Sequence, residues 1–167
     1  MELNGVIHTF TRQLKFFLAS FVVVLSIGFY TGLLFVNETS SGDPQGIEEN
    51  YLGNEDDEFA EVMKFKKGSR EMLTIVHTHV LSMSFIFFLI GAILLTTSLP
   101  KKLKTFLLIE PFVSVILTFG GIYLLWLGYS WTKYLVIVSG TFMTLSFTAS
   151  VLIILYQLLF VSDRQFE

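Results

Sequence analysis

The chain has 167 residues, 53% of them hydrophobic and 15% charged, with a formal net charge of −3 and a mean hydropathy of +0.67. Soluble domains carry about 25% charged residues, so this composition places the chain in a membrane, and net acidity without a basic patch excludes nucleic acid as the expected partner. No cysteine is present, which removes thiol nucleophiles, Cys-ligated zinc and iron–sulfur clusters.

Four apolar runs follow one another at about 16–36, 72–97, 105–129 and 134–160, each near or above the roughly 20 residues that a spanning helix needs. The expected fold is an all-α integral membrane protein, a four-transmembrane-helix antiparallel bundle occupying the single domain 1–167. The first run is expected to be a retained helix, being too long for a signal peptide and lacking a small-x-small cleavage site before Asn37.

The loop between the first two helices, residues 37–71, holds ten carboxylates from Glu38 to Glu71. Its first part, 37–54, is rich in Gly, Ser, Asn and Glu and reads as irregular. Over 55–67 the pattern changes. Phe59, Val62 and Met63 fall at helical spacing while acids lead and lysines trail, an order that suits the helix dipole and predicts a short amphipathic helix at the interface. Gly68 breaks it, and Ser69 is the expected N-cap of the second helix. Asn37-Glu38-Thr39 matches a glycosylation sequon, a pattern common by chance.

Orientation follows from the cations. Lys101, Lys102 and Lys104 crowd the short connection between helices 2 and 3, with Arg12, Lys15 and Arg164 on the same side. Lys64, Lys66, Lys67, Arg70 and Lys133 lie on the other. Cations in short loops weigh most in topology, so both termini are expected in the cytoplasm and the acidic loop outside, in an inner or plasma membrane. Trp126, Tyr129, Trp131 and Tyr134 then form an aromatic belt at the outer interface.

Small residues mark where membrane helices approach. Helix 1 carries Gly28 and Gly32; helix 2 repeats His77, Ser84, Gly91 and Ser98; helix 3 repeats Glu110, Ser114, Gly121 and Gly128; helix 4 repeats Gly140, Thr144 and Thr148. Each line is expected to face the bundle interior.

His77 and His79 carry the functional signal. Ionisable side chains inside a membrane are costly and tend to serve a function, and imidazole is a common ligand of metals and haem iron. Two residues apart on a helix, the rings differ by about 200° in direction and cannot share one ion without distortion. The small-residue line predicts that His77 looks inward and His79 outward, with Met83, Ile86 and Ile90. The leading expectation is a cytochrome b-like electron-transfer subunit. A haem b would be held by His77 or His79, with Met143 on helix 4 or a histidine of a second copy as the other ligand. Copper or zinc at His77 and His79 is a weaker alternative, needing local unwinding or ligands from a second chain. The competing expectation is a non-catalytic accessory or assembly subunit, with both imidazoles simply hydrogen-bonded in the bundle. Either way the partners expected are the lipid bilayer and a homo-oligomer or larger membrane complex. Glu110, before Pro111, is a second intramembrane polar group, suited to a proton relay or to pairing with Lys101, Lys102 or Lys104.

Overall fold

The computed structural model describes residues 3–40, 42–55, 60 and 62–161. Its regular elements are helical: a 3-10 turn at Val6–Thr9, then α1 (Arg12–Ser40), α2 (Pro44–Leu52), α3 (Ser69–Thr96), α4 (Lys101–Trp126) and α5 (Thr132–Leu159). Four of them, α1, α3, α4 and α5, are long and apolar enough to cross a membrane. The protein is an integral membrane protein whose helices contact the bilayer. The helices of 26–29 residues outrun the ~30 Å hydrocarbon core at ~1.5 Å per residue. Polar ends such as Arg12-Gln13 and Asn37–Ser40 therefore remain helical beyond the apolar runs.

The loop helix is displaced from its expected place. It forms at Pro44–Leu52, inside the stretch read as irregular, whereas Glu55, Ala60 and 62–68 carry no helix; residues 56–59 and 61 of the expected helix lie outside the described residues. The cause is local. The Asp43 carboxylate accepts the N–H groups of Gln45 and Gly46, each at 2.9 Å, and Pro44 occupies the first helical position. Gly53, at φ 85°, ends the helix. The following chain then folds back on Asn54, whose side chain donates to the Val62 carbonyl at 3.0 Å and accepts the Lys64 N–H at 2.6 Å. Residues so engaged are taken from any helix. The second spanning helix starts at Ser69, one residue earlier than expected, so that Gly68 and not Ser69 holds the cap position.

α4 sits between α3 and α5 and shares with α5 the most extensive interface; α1 packs on α5. On α4 the expected line is the packing line: Ser114 and Gly121 are buried, and a Cβ on Gly121 would lie 3.0 Å from Val136 of α5. One turn below, Thr118 and Ser139 are hydrogen-bonded at 2.7 Å. On α5 the buried face is instead Ser139, Met143, Ser146 and Ser150. On α1 the glycines do not mediate packing, since a Cβ at Gly28 or Gly32 would meet nothing within 4 Å. Aromatic side chains do the work there. Phe29 stacks on Phe147 at 3.9 Å, and Phe87 of α3 meets both rings edge-on at 6.3 and 6.1 Å. Such offset and edge contacts add ~0.5–1.5 kcal/mol beyond their buried area.

A candidate cofactor cavity beneath α2

Between α1, α3, α4 and α5, at the end where α2 lies, is a cavity of about 410 Å³. That size is within the ~300–1,000 Å³ typical of small-molecule sites. Phe29, Phe119, Ile122 and Val136 give it apolar walls, and Ile47 and Tyr51 of α2 reach it from the loop end. Into this space the fold brings His79 from α3 and Met143 from α5, two of the residues singled out in the sequence.

His79 is half-buried. Its Nδ1 donates to the Ile75 carbonyl at 2.8 Å, and its ring stacks on Phe119 with centroids 4.9 Å apart. Since a carbonyl can only accept, Nδ1 carries the proton, and the tautomer this bond selects has its lone pair on Nε2. Ligand histidines are commonly oriented by this kind of second bond. Met143, 5% exposed, brings a thioether sulfur to the same cavity.

The expected directions of the two histidines are reversed. His77 is exposed on the lipid-facing side of α3, and His79 shares the inner face with Met72, Met83, Phe87, Ile90 and Leu94. The seven-residue line was the wrong guide because a straight helix drifts ~20° per heptad. Gly91 does touch α4, where a Cβ would lie 3.2 Å from Leu108, but two heptads earlier the line has turned roughly 40°. His77 is thereby carried out of the interface. His8 lies far from the cavity, buried in the 3-10 turn before α1.

The hydroxyl groups of the cavity are committed. Thr141 and Thr144 donate to the Ile137 and Gly140 carbonyls at 2.8 and 2.9 Å. Ser139 donates to the Leu135 carbonyl at 2.7 Å, so the Thr118 proton goes to Ser139. What α3, α4 and α5 offer an occupant is therefore acceptor character: the Nε2 lone pair, hydroxyl lone pairs and a thioether. Among the described residues no group of three or more His, Asp or Glu side chains is placed to hold a metal ion.

Glu110 stands apart from the cavity, half-buried on α4. Its Oε1 accepts from Ser114, while Oε2 is buried with no hydrogen-bond partner. The expected pairing with a nearby lysine is absent among the described residues, whose ion pairs are Lys67–Glu71 and Lys133–Glu48.

α2 was not anticipated as part of the site, although Asp43-Pro44 was a legible helix start. It is fastened at three points. Gly46 lies so close to α1 that a Cβ would collide with the Ser40 carbonyl oxygen, and a Cβ on Gly53 would stand 2.7 Å from the Lys66 nitrogen. Between them Glu48 accepts from Lys133 at 2.5 Å and from Ser130 at 2.6 Å. The Lys133 hydrogen bond, then that of Ser130, holds the Glu48 carboxyl below the usual carboxylate range; burial pushes the Tyr51 phenol above its ordinary value. A depressed carboxylate contributes stability above its unfolded value of about 4.3 and loses it as pH falls through the lower folded value. Thermal unfolding in detergent between pH 6 and pH 3 is therefore expected to show an acid-side loss that is smaller in Glu48→Gln. An equal loss in the variant would show that this carboxylate is not the source.

A family model described as a transmembrane helical domain matches residues 41–165. No curated protein and no solved structure matches the chain.

Proposed function

We propose that this chain, which belongs to the Aq_1264_TM family of transmembrane helical domains, is a small cytochrome b-like electron-transfer subunit with a haem b in the cavity beneath α2. The observation that carries the reading is the convergence of His79 and Met143 on one apolar cavity, with His79 Nδ1 tied to the Ile75 carbonyl and Nε2 left as a lone-pair donor. Imidazole and thioether are the ligand types of His/Met cytochromes. The acceptor character of the α3, α4 and α5 walls suits a metal centre, with the Tyr51 phenol at the loop end as a donor.

In this reading His79 and Met143 are the residues that would hold the iron, and His77 would have no part in the site within one chain. Bound haem supplies one-electron transfer. The chain's own residues position and insulate it. Ile75 fixes the imidazole tautomer, Phe119 fixes the ring plane, and Ile47 and Tyr51 close the water-facing end. The spanning helices form an antiparallel bundle with both termini in the cytoplasm, so the cavity lies in the outer half of the membrane under an acidic loop.

Copper or zinc shared between His77 and His79 is the less favoured form of the same proposal, because the two rings leave opposite sides of α3. A second reading, an accessory subunit of a larger membrane complex or homo-oligomer, draws on a different observation. α1 is largely uncovered by the rest of the chain and His77 is exposed in the spanning part of α3; a partner helix would cover both.

An absorption spectrum of the protein purified in mild detergent, before and after dithionite, tests the proposal. A Soret band that sharpens on reduction, with a resolved α band, is the expected result. A featureless spectrum from material that kept its native partners would overturn the cytochrome reading and leave the accessory one.

A further inference from the structure

We infer that the cavity beneath α2 is capped by that helix on the water side, where Gly42 is the exposed member of the described lining, and open to lipid. The gap between α1 and α5 is a lateral portal through which an apolar molecule dissolved in the bilayer reaches His79. Two sets of observations carry this. On the water side, α2 is pinned at both ends by the backbone approaches of Gly46 and Gly53, and tied in the middle through Glu48 to Lys133 and Ser130. Its Ile47 is buried in the cavity's end. On the lipid side, the lining residues of the spanning helices that are themselves exposed belong to α1 and α5: Gly32 and Val36 on the first, Thr141 and Leu145 on the second. α1 and α5 are held together further along by the Phe29–Phe147 stack and by a 2.7 Å hydrogen bond between Tyr30 and Thr148. Toward α2 they part across two glycines, Gly32 and Gly140, where a Cβ would meet nothing within 4 Å. Gly32 is thus part of the wall of an opening rather than a packing residue.

The occupant is bounded by these features. It must partition into hydrocarbon, since that is the phase at the mouth, and it must carry a group that engages a lone pair, a metal centre or an O–H, since the lining supplies acceptors. Haem satisfies both conditions. The inference rests on the preceding reading only for that identity; the route stands on the cavity itself.

The absence of cysteine allows a direct test. A single reporter, Thr144→Cys, is placed in the full-length protein in vesicles. It is treated either with a long-chain N-alkyl maleimide dissolved in the bilayer or with a charged thiosulfonate added to the water on both sides. The alkyl reagent is expected to label the reporter at least tenfold faster than the charged one. Adding Gly32→Leu and Gly140→Leu, which fill open space, is expected to slow alkyl labelling at least tenfold while a Leu145→Cys reporter at the mouth keeps its rate. Labelling by the charged reagent at the rate of an exposed thiol, or alkyl labelling indifferent to the two leucines, would overturn the portal. Met143→Cys serves as the reporter if Thr144→Cys does not fold. Neither outcome depends on a chromophore, so the portal and the haem reading fail separately.

Discussion

In His79→Ala the visible chromophore of the proposed haem is expected to disappear, whereas His77→Ala is expected to retain it in full. The two variants remove the same side chain two residues apart in one helix, so composition and synthesis are matched and only position differs. Removing His79 deletes the Nε2 donor and the ring stacked on Phe119. It leaves no polar orphan, because the Ile75 carbonyl remains within the hydrogen-bond ladder of α3. The stability cost is therefore that of a half-buried ring, about 1–2 kcal/mol by area, small enough that loss of the chromophore is not loss of the fold. The void should accept imidazole, and 10 mM free imidazole is expected to restore part of the Soret band. Met143→Ala is expected to keep haem bound but shift the spectrum and lower the potential, since a thioether ligand raises it. The measurement is the ratio of haem to protein in purified samples together with the redox midpoint. Retention of chromophore in His79→Ala and its loss in His77→Ala would place the site on the lipid-facing side of α3, shared with another chain.

The four spanning helices were legible because twenty or more apolar residues in a row admit few other structures. What was not legible was the rotation of each helix about its axis. In water the buried face is the apolar one, but here all faces are apolar, and the small-residue lines were the only rotational marker. That marker held on α4, where Ser114 and Gly121 are buried, and failed on α1, where Phe29 packs and Gly28 and Gly32 do not. It also failed at the loop end of α3, because a seven-residue line turns away from a straight neighbour within two heptads. That single error exchanged the roles of His77 and His79. The helix of the loop was missed for a different reason: residues 44–52 are few and mostly polar, with Ile47 and Tyr51 as a short inward face, and their helix start rests on the Asp43 cap and Pro44. Met143 entered the sequence reading only beside a histidine of a second copy, because nothing in one dimension shows that α3 and α5 converge beside α4.

Lys104→Met is expected to lower stability by about 3 kcal/mol, the largest single effect at the end of the molecule opposite the cavity. Lys104 is 9% exposed, and its Nζ meets three acceptors: the Asn4 side chain at 2.6 Å, the Thr97 carbonyl at 2.5 Å and the Leu95 carbonyl at 3.1 Å. The last carbonyls of α3 have no partners within the helix and sit at its negative end, so an ammonium here satisfies both the hydrogen bonds and the dipole. The same corner is closed by Gly5, whose N–H reaches the Thr97 carbonyl at 3.2 Å. Gln157 of α5 adds a two-point bond to Ser98, 2.7 Å from its N–H and 3.0 Å to its carbonyl. Each charged hydrogen bond is worth about 1.5–3 kcal/mol; the three share one nitrogen and water can reach part of the corner, so the sum falls well short of additive. With about 2–4 °C per kcal/mol for a chain of this size, the melting temperature in detergent should fall by roughly 10 °C. Arginine should rescue little, because a planar fork cannot point at three acceptors gathered around one nitrogen. Lys101→Met and Lys102→Met, whose side chains are exposed, should change stability by less than about 0.5 kcal/mol. Equal losses at all three positions would mean that the charge of the connection, and not the bonds of Lys104, holds this end. The distinction also bears on orientation: a lysine so fully engaged is held by the fold, which leaves Lys101 and Lys102 as the cations of that short connection free to weigh on topology.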